Sequence, residues 1–178
     1  MDRNELHIIC DRREQRPFSF TGAQIYEGTT VEAGTLNVGD YSLAGMENVV
    51  ACERKSLPDL VQCLAGSRER FVRELERSRA LESFCVIVEA PWEALAKGEY
   101  RSHLRPQAAC QSVAAFMARL GVPFWFCGSR AAAEYCCWSF LRQYAEGQRQ
   151  KFKTVERALG LRPAKRRAGP DSSPAREA

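Results

Sequence analysis

Residues 48–64, NVVACERKSLPDLVQCL, change from the hydrophobic pattern of a strand to that of a helix. The apolar run over residues 48–52 is typical of a β-strand, and residues 57–64 have the spacing of a short helix. Ser56 is placed to cap this helix, and Pro58 lies in its first turn, where a missing N–H costs nothing. The stretch therefore predicts a strand that leads directly into a helix.

Three charged residues, Glu53, Arg54 and Lys55, stand between this strand and its helix, and Asp59 follows in the first helical turn. A buried charge costs several kcal/mol unless it is paired or meets a metal ion. Either the strand ends at Cys52 and the charges face water, or the charges form a site. Glu53 and Lys55 share one face of the strand because they are two residues apart, and Arg54 points to the opposite face.

The same patterns continue in both directions along the chain and predict an α/β fold, a mixed sheet with helices on its faces. Three of the segments, 29–36, 41–43 and 48–55, are interpreted as an antiparallel meander. The predicted strands are Leu6–Cys10, Thr29–Leu36, Tyr41–Leu43, Asn48–Lys55, Phe84–Val88 and Pro123–Cys127. The predicted helices are Leu57–Leu64, a helix capped by Ser67, Trp92–Lys97, Arg105–Leu120 and a helix from Arg130 to about Gln148, capped by Ser129.

The length of 178 residues suits one domain with a tail, and 45% hydrophobic and 27% charged residues are ordinary for a globular protein. We expect one folded domain over residues 1–149 and a basic C-terminal extension over 150–178. From about residue 161 the chain lacks apolar periodicity, which predicts disorder. The net charge of +4 permits contact with nucleic acid without demanding it.

The eight cysteines form no CxxC pair, and most of them lie within apolar runs. They are interpreted as small core residues in a reducing compartment rather than as a disulfide framework. The N-terminus does not resemble a signal peptide, and no apolar run is long enough to span a membrane. We therefore expect a cytosolic protein.

Asp40 precedes one predicted strand, and Glu53 and Lys55 end the next strand. Neighbouring antiparallel strands would bring the two carboxylates together with the amine. Two carboxylates can hold a hard divalent cation such as Mg²⁺, and a lysine can polarise an attacking water or stabilise developing charge. The alternative is an exposed cluster of ion pairs, which is common and nearly neutral in energy.

Four motifs together resemble the XPF family of structure-specific endonucleases, which carry the ERCC-type nuclease domain of the PD-(D/E)xK superfamily. Gly39-Asp40, Glu53-Arg54-Lys55 and Asp59 match the family pattern G-D, a variable stretch, then E-R-K-x-x-x-D. Asp11-Arg12-Arg13-Glu14 matches its upstream D-x-R-E. Arg68 to Phe71 and the strand ending at Val88-Glu89 resemble its following segments. The resemblance covers about residues 6–146 and implies a restriction-endonuclease-like fold.

The resemblance implies that Asp40 and Glu53 are ligands of Mg²⁺ or Mn²⁺ and that Lys55 is the catalytic lysine. Asp11 completes or flanks the metal shell. The residues implied to support the site or to bind DNA are Arg13, Glu14, Arg54, Asp59, Arg68 and Arg70. For Arg54 two roles stay open: pairing with an acid such as Asp59, or contact with DNA. For Arg13, Glu14 and Asp59 an ordinary surface role is the alternative.

The expected activity is hydrolysis of branched, flapped or junction-containing DNA. Eukaryotic members of the family carry a tandem helix-hairpin-helix module after the nuclease domain, and only about 30 residues follow here, so we expect a stand-alone microbial or viral domain. The last strand and helices form a dimer face in the family, which implies a homodimer or a partner protein. The sequence leaves open repair, recombination and phage DNA processing. Two other hypotheses are a non-catalytic DNA-binding module and a nuclease of another PD-(D/E)xK type.

Overall fold

The computed structural model of the protein describes residues 5–161. Its strands are β1 (Leu6–Asp11), β2 (Thr29–Gly34), β3 (Tyr41–Leu43), β4 (Val50–Lys55), β5 (Ser83–Val88) and β6 (Phe124–Phe126). Its α-helices are α1 (Leu57–Ala65), α2 (Arg68–Ser78), α3 (Trp92–Lys97), α4 (Pro106–Leu120) and α5 (Arg130–Ala158), and one turn of 3-10 helix covers Gln24–Tyr26. The predicted α/β class, a mixed sheet flanked by helices, is confirmed.

One six-stranded sheet has the strand order β2-β1-β3-β4-β5-β6. β3 and β4 are antiparallel, with Tyr41 opposite Cys52, and β5 runs parallel to both β4 and β6. The predicted meander of three segments is wrong at its first strand, because β2 pairs in parallel with β1 at the edge of the sheet. β1 is buried along most of its length, so its main-chain N–H and C=O groups need hydrogen-bond partners on both edges, whereas most side chains of β2 are exposed. Exposed polar residues suit an edge strand.

The alternation of β4 and β5 distributes their side chains between two hydrophobic cores. Ala51 of β4 and Val86 of β5 face the core that lies under helices α1 to α4. Cys52 and Ile87 face the core that is covered by Phe18, Phe20 and the first half of α5. By the period of two, Glu53 and Lys55 lie on the first face and Arg54 on the second. The strand thus sends its three charged side chains to two different sides of the sheet.

Local signals place the helices close to their predicted bounds. The Ser56 hydroxyl accepts a hydrogen bond from the N–H of Asp59, so the predicted cap of α1 is confirmed. The Ser129 hydroxyl likewise accepts from the N–H of Ala132 at the start of α5. The predicted cap of α2 is wrong, because the Ser67 side chain donates to the carbonyl of Gln62 instead. The bend between α1 and α2 uses that hydroxyl.

Helix α5 continues beyond its predicted end near Gln148 to Ala158. One glycine, Gly147, inside a helix costs only about 1 kcal/mol relative to alanine, and the following residues are good helix formers. Gly160, two residues after the end of the helix, has φ +69°, and the N–H of Leu161 donates to the carbonyl of Glu156. This is the usual pattern of a helix that is closed by a left-handed glycine.

The described chain separates into two compact units, one that ends at Ala145 and one that begins at Glu146. The predicted boundary between residues 149 and 150 stays a prediction. The predicted disorder from about residue 161 falls almost entirely on residues 162–178, outside the described residues. Among the described residues, no helix has the length and apolar character that crossing a membrane requires.

Four of the cysteines, Cys10, Cys52, Cys85 and Cys137, are buried, which confirms their interpretation as core residues. Cys52 and Cys85 lie side by side on neighbouring strands, with 3.8 Å between their sulfur atoms. The other four cysteines are half-buried. All eight are free thiols, and their compartment stays a prediction.

Candidate active site

Asp40 is held between two strands by its main chain. Its N–H donates to the carbonyl of Cys52 at 2.8 Å, and its carbonyl accepts from the N–H of Asp11 at 2.8 Å. Gly39 allows this close approach: it has φ +80°, and a Cβ at this position would lie 2.9 Å from both the Ala51 Cβ and the Cys52 carbonyl oxygen. The Gly39-Asp40 pair thus allows the Asp40 main chain to lie directly against β4.

The carboxylate of Asp40 lies close enough to that of Glu53 to affect the ionisation of Glu53. Burial and the charge of Asp40 raise the pKa of Glu53 well above its usual range. Burial is also the main reason that the pKa of Asp40 rises to about 6. A buried carboxylate, Glu53, next to a half-buried one, Asp40, forms a site with an excess of negative charge, and such a site favours a cation.

Lys55 contacts the carboxylate of Glu53 directly. Burial alone would lower the pKa of the Lys55 ammonium, but the charge and hydrogen bond of Glu53 outweigh it and raise the pKa. Lys55 is therefore fully protonated at neutral pH. Its Nζ also lies 5.6 Å from the centroid of the Phe71 ring, which places the ammonium against helix α2.

A cleft of about 200 Å³ opens beside Lys55 between helices α1 and α2. Asp59 and Gln62 line it from α1, and Arg70 and Glu74 line it from α2. Of Arg68 and Arg70, which were both expected to support the site or to bind DNA, only Arg70 lines this cleft. Arg68 lies on the other side of α2, where it donates to Ser112 at 2.8 Å and stacks over the Phe116 ring at 5.0 Å.

The Asp11 carboxylate is engaged by main-chain and side-chain donors. Oδ1 accepts from the N–H and Nε of Arg13 at 2.8 and 2.7 Å, and Oδ2 accepts from Arg13 Nη2 and the Leu36 N–H at 2.9 and 2.7 Å. Burial alone would raise the pKa of Asp11, but these hydrogen bonds outweigh it and lower the pKa to about 2. In this arrangement Asp11 orders the loop after β1. Its role as a metal ligand stays a prediction.

Arg54 is buried with only 7% of its surface exposed, on the face of the sheet opposite Glu53. Its guanidinium forms a bidentate pair with Glu89, at 2.8 and 3.0 Å, and contacts Glu14 at 3.3 Å. The predicted pairing with Asp59 is wrong, since Asp59 accepts from the Ser56 hydroxyl at the surface. Arg54 is enclosed by its acidic partners, Glu89 and Glu14, and ties the end of β4 to them. Its roles in supporting the site or in contacting DNA stay predictions.

Glu89 receives a second arginine, Arg130, at the start of helix α5, and the distance from Nη1 to Oε1 is 2.6 Å. Arg130 also donates to the carbonyls of Arg16 and Pro17, each at 2.8 Å. The Phe18 ring lies 4.9 Å from this guanidinium and stacks on Tyr41 at 5.2 Å. The network thus joins the loop after β1, the ends of β4 and β5, and the start of α5.

Sequence reasoning missed the roles of Glu74, Glu89 and Arg130. Glu89 was detectable in principle, because it follows a buried strand at the position where β5 would lie next to Arg54. Glu74 stands among alternating charges on α2, and only the packing of α2 against α1 places it in the cleft. No local signal distinguishes Arg130, whose partners lie more than 40 residues away in sequence.

Among residues 5–161, no group of three or more His, Cys, Asp or Glu side chains is arranged to hold a metal ion. Asp40 and Glu53 nevertheless fit a hard divalent cation, because both are oxygen donors with raised pKa values, Glu53 buried and Asp40 half-buried. Mg²⁺ is commonly held by one or two carboxylates, with water and substrate phosphate as its other ligands. The donor set therefore suits a cation that is bound jointly by protein and substrate.

Comparison with known proteins identifies the family. A model described as the ERCC4 domain matches residues 10–137, from the end of β1 into α5. The chain belongs to the ERCC4 domain family. The match includes Asp40, Glu53 and Lys55, and it confirms the family prediction made from their motifs. Membership supports a role as a DNA nuclease or DNA-binding protein.

Two solved structures with the same fold come from one archaeal protein. XPF from Aeropyrum pernix superimposes with a TM-score of 0.61 and 20% sequence identity, over 84% of this chain and 72% of that chain. The same protein in complex with DNA gives a TM-score of 0.62 and 22% identity, over 80% of this chain and 66% of that chain. At this identity the likeness shows the fold of the ERCC4 domain. No curated protein sequence matches the chain.

Proposed function

We propose that this ERCC4 domain is a Mg²⁺- or Mn²⁺-dependent DNA endonuclease that hydrolyses phosphodiester bonds at branched, flapped or single-strand/duplex junction DNA. The observation that supports the proposal is the mutual placement of Asp40 and Glu53 on neighbouring strands, with Lys55 beside them at the edge of a cleft. A bound divalent cation would neutralise charge on the phosphodiester and lower the pKa of a water. Asp40 and Glu53 are the residues that would hold it.

Lys55 acts in this proposal as a cation and not as a base. Its raised pKa keeps the ammonium protonated at neutral pH, so it has no lone pair with which to accept a proton. A fixed ammonium near the reacting phosphate stabilises negative charge that develops on its oxygens. Glu53 orients this ammonium through their direct contact.

Arg70 is the proposed phosphate contact on the wall of the cleft, because it shares that wall with Lys55. Arg13 has a 73% exposed side chain and is a second candidate at the edge of the site. Such contacts neutralise phosphate without reading sequence, which suits an enzyme that selects DNA by its shape. Arg68 is a less direct candidate because Ser112 and Phe116 already engage it.

The last strand and helices are the proposed contact with a second copy or a partner protein. Exposed side chains of Trp125 and Tyr135 support this proposal, with 38% and 47% of their surfaces accessible. Trp138 does not support it, since it is buried and donates to Thr29. Light scattering of the purified chain over a range of concentrations would test for a homodimer.

The proposed activity is tested by incubating a labelled 3′-flap duplex with Mg²⁺ or with EDTA. We expect the wild-type chain to cut the flap only with the metal, and we expect Asp40→Asn to abolish cutting. Glu93→Gln is the matched control, because it removes one exposed carboxylate from the first turn of α3. Circular dichroism would verify that each variant is folded.

A second candidate function, a DNA-binding module without catalysis, is distinguished by the same experiment. Binding of the flap by wild type without cutting, in either metal, would contradict the nuclease and support this module. The intact set of Asp40, Glu53 and Lys55 favours the nuclease. Equal cutting of flap and unbranched duplex would support the nuclease activity and contradict the proposed preference for junctions.

A further inference from the structure

A second cavity, of about 610 Å³, lies between helix α1 and the segment 99–102 that follows α3. Val61 and Ala65 contribute to its wall from α1, and Tyr100 and Arg101 contribute from the facing segment. Pockets that bind small ligands have volumes of about 300–1,000 Å³, so this cavity has the size of a binding site. None of the residues proposed for catalysis lines this cavity.

The cavity adjoins the active-site cleft through a single side chain. Gln62 lines both, and in the cleft it stands with Lys55 and Arg70. Helix α1 thus presents one wall to the reacting phosphate and, further along, another wall to the second cavity. A nucleic-acid strand that places one phosphate in the cleft can place the adjacent nucleotide in the cavity.

One side of the cavity is apolar and rigid. Tyr100 is half-buried, and its hydroxyl donates to the carbonyl of Leu104 at 3.1 Å, which fixes the position of the ring. Pro58 and Val61 lie on the opposite wall, on the first turns of α1. A flat, weakly polar group such as a nucleobase fits between walls of this kind, because every base has an apolar face.

The other side of the cavity carries groups that suit the polar parts of a nucleotide. Arg101 is an exposed cation that can pair with a phosphate. The Gln62 amide can both donate to and accept from the edge of a base. Glu99 repels phosphate but accepts hydrogen bonds from the exocyclic amines of bases, so it belongs next to the base and away from the backbone.

We propose that this cavity binds an unpaired nucleotide of the strand whose neighbouring phosphate occupies the active-site cleft. The inference rests on the proposed nuclease function and specifies how a junction is recognised. A paired base has its hydrogen-bonding edge covered and its faces stacked, so a duplex cannot offer a base to a cavity between two protein walls. The cavity would therefore select strands that are single-stranded next to the cut.

The test blocks the cavity by substituting an exposed residue of its wall. Ala65→Trp places a large ring in the cavity from the last turn of α1. Binding of a fluorescent single-stranded oligonucleotide and of a blunt duplex is measured by anisotropy in EDTA, so that no cutting occurs. We expect Ala65→Trp to weaken binding of the single strand by about tenfold or more and to leave duplex binding unchanged.

Two matched controls identify the cause of any loss. Ala96→Trp adds the same ring at an exposed position of α3 outside the cavity, and it should bind the single strand like wild type. Arg101→Ala should weaken single-strand binding and reduce its dependence on salt, whereas Arg119→Ala at the end of α4 should do neither. Thermal melting of each variant verifies folding.

Unchanged single-strand binding by folded Ala65→Trp would overturn the inference, and so would an equal loss for single strand and duplex. Failure of the nuclease proposal would give a different combination of binding and cutting results. If wild type binds the single strand through the cavity but never cuts with Mg²⁺, the cavity assignment stands and the catalytic one falls. If wild type cuts a flap and Ala65→Trp both binds and cuts it normally, the nuclease proposal stands and the cavity assignment falls.

Discussion

The main-chain N–H of Arg54 donates to Oδ2 of Asp40 at 2.8 Å. One residue therefore orients a candidate metal ligand with its backbone and anchors the strand with its side chain on the opposite face. The Arg54 guanidinium lies between Glu89 and Glu14, whose side chains are only 9% and 7% exposed. The position of the Asp40 carboxylate thus depends on a strand end that a buried ionic network holds in place.

We expect Arg54→Ala to lower the free energy of unfolding by about 3–5 kcal/mol, because the buried Glu14 and Glu89 carboxylates lose the arginine they share and Glu89 retains only Arg130. Arg73→Ala is the control, since Arg73 and Glu69 form a pair that is 63% and 93% exposed. Loss of such a surface pair should cost less than about 1 kcal/mol. Urea unfolding at neutral pH measures both. Similar values for the two variants would show that the Arg54 network contributes little.

Gly39→Ala should destabilise the protein more than Gly45→Ala. Both glycines have a positive φ, +80° and +78°, so alanine at either position costs about 1–2 kcal/mol of backbone strain. Only Gly39 has atoms of Ala51 and Cys52 within 2.9 Å of the added Cβ, whereas nothing lies within 4 Å at Gly45. The clash should add about 1–3 kcal/mol.

Thermal and urea unfolding of the two glycine variants measure this difference. The flap-cutting assay gives a second readout, because displacement of Asp40 from β4 should also reduce cleavage by Gly39→Ala. Equal stability of the two variants would mean that β3 and β4 can move apart at little cost in free energy. The approach of Asp40 to Cys52 would then not be tightly constrained.

Without metal, Asp40→Asn should be at least as stable as wild type. Burial makes the charged Asp40 unfavourable, the charges of Glu14 and Glu74 add to this, and the result is a pKa of about 6. Asparagine removes that charge and retains an oxygen that can accept from the Arg54 N–H. Urea unfolding in EDTA tests the expectation. A marked loss of stability in the folded variant would indicate that the Asp40 charge is compensated by partners in the protein itself.

The free energy of unfolding should fall as the pH is lowered from about 4 to 2, in part because of Asp11. Its pKa is lowered in the folded state, from 3.8 to about 2, so its contribution is present above the unfolded pKa and is lost as protons bind. We expect about 1–2 kcal/mol, since Arg13 is largely exposed and solvent screens the pair.

Asp11→Asn isolates this contribution. At neutral pH the variant should be less stable than wild type, and the difference should narrow as the pH approaches 2. Acid titration of both proteins, followed by circular dichroism at fixed urea, measures the gap. A gap that is constant over this range would contradict the assigned shift in the pKa of Asp11.

Local patterns were sufficient for most of the secondary structure. The strand β4, helix α1 and the cap at Ser56 follow from alternation, helical spacing and a serine before Pro58, which act over only a few residues. The sequence also predicted that Glu53 and Lys55 share a face and that Arg54 faces away, because the period of a strand is two. The order of the family motifs predicted the ERCC4 domain.

Pairings between distant segments were decided by the tertiary structure. β2 and β3 are consecutive in sequence, yet β1 lies between them, because the main-chain groups of a buried strand need hydrogen-bond partners on both of its edges. The partners of Arg54 are 35 and 40 residues away, and their carboxylates become neighbours only when β4, β5 and the loop after β1 pack together. Local propensity carries no information about such distances.

The sequence by itself therefore determined which residues are the candidates for the chemistry, since residue type, spacing and strand alternation are local properties. Only the tertiary structure decided how they are divided: Asp40, Glu53 and Lys55 at the candidate metal site, Arg70 on the wall of the cleft, and Arg54 buried beneath. The physical reason is that burial sets the cost of each charge, and burial depends on every segment that packs around it.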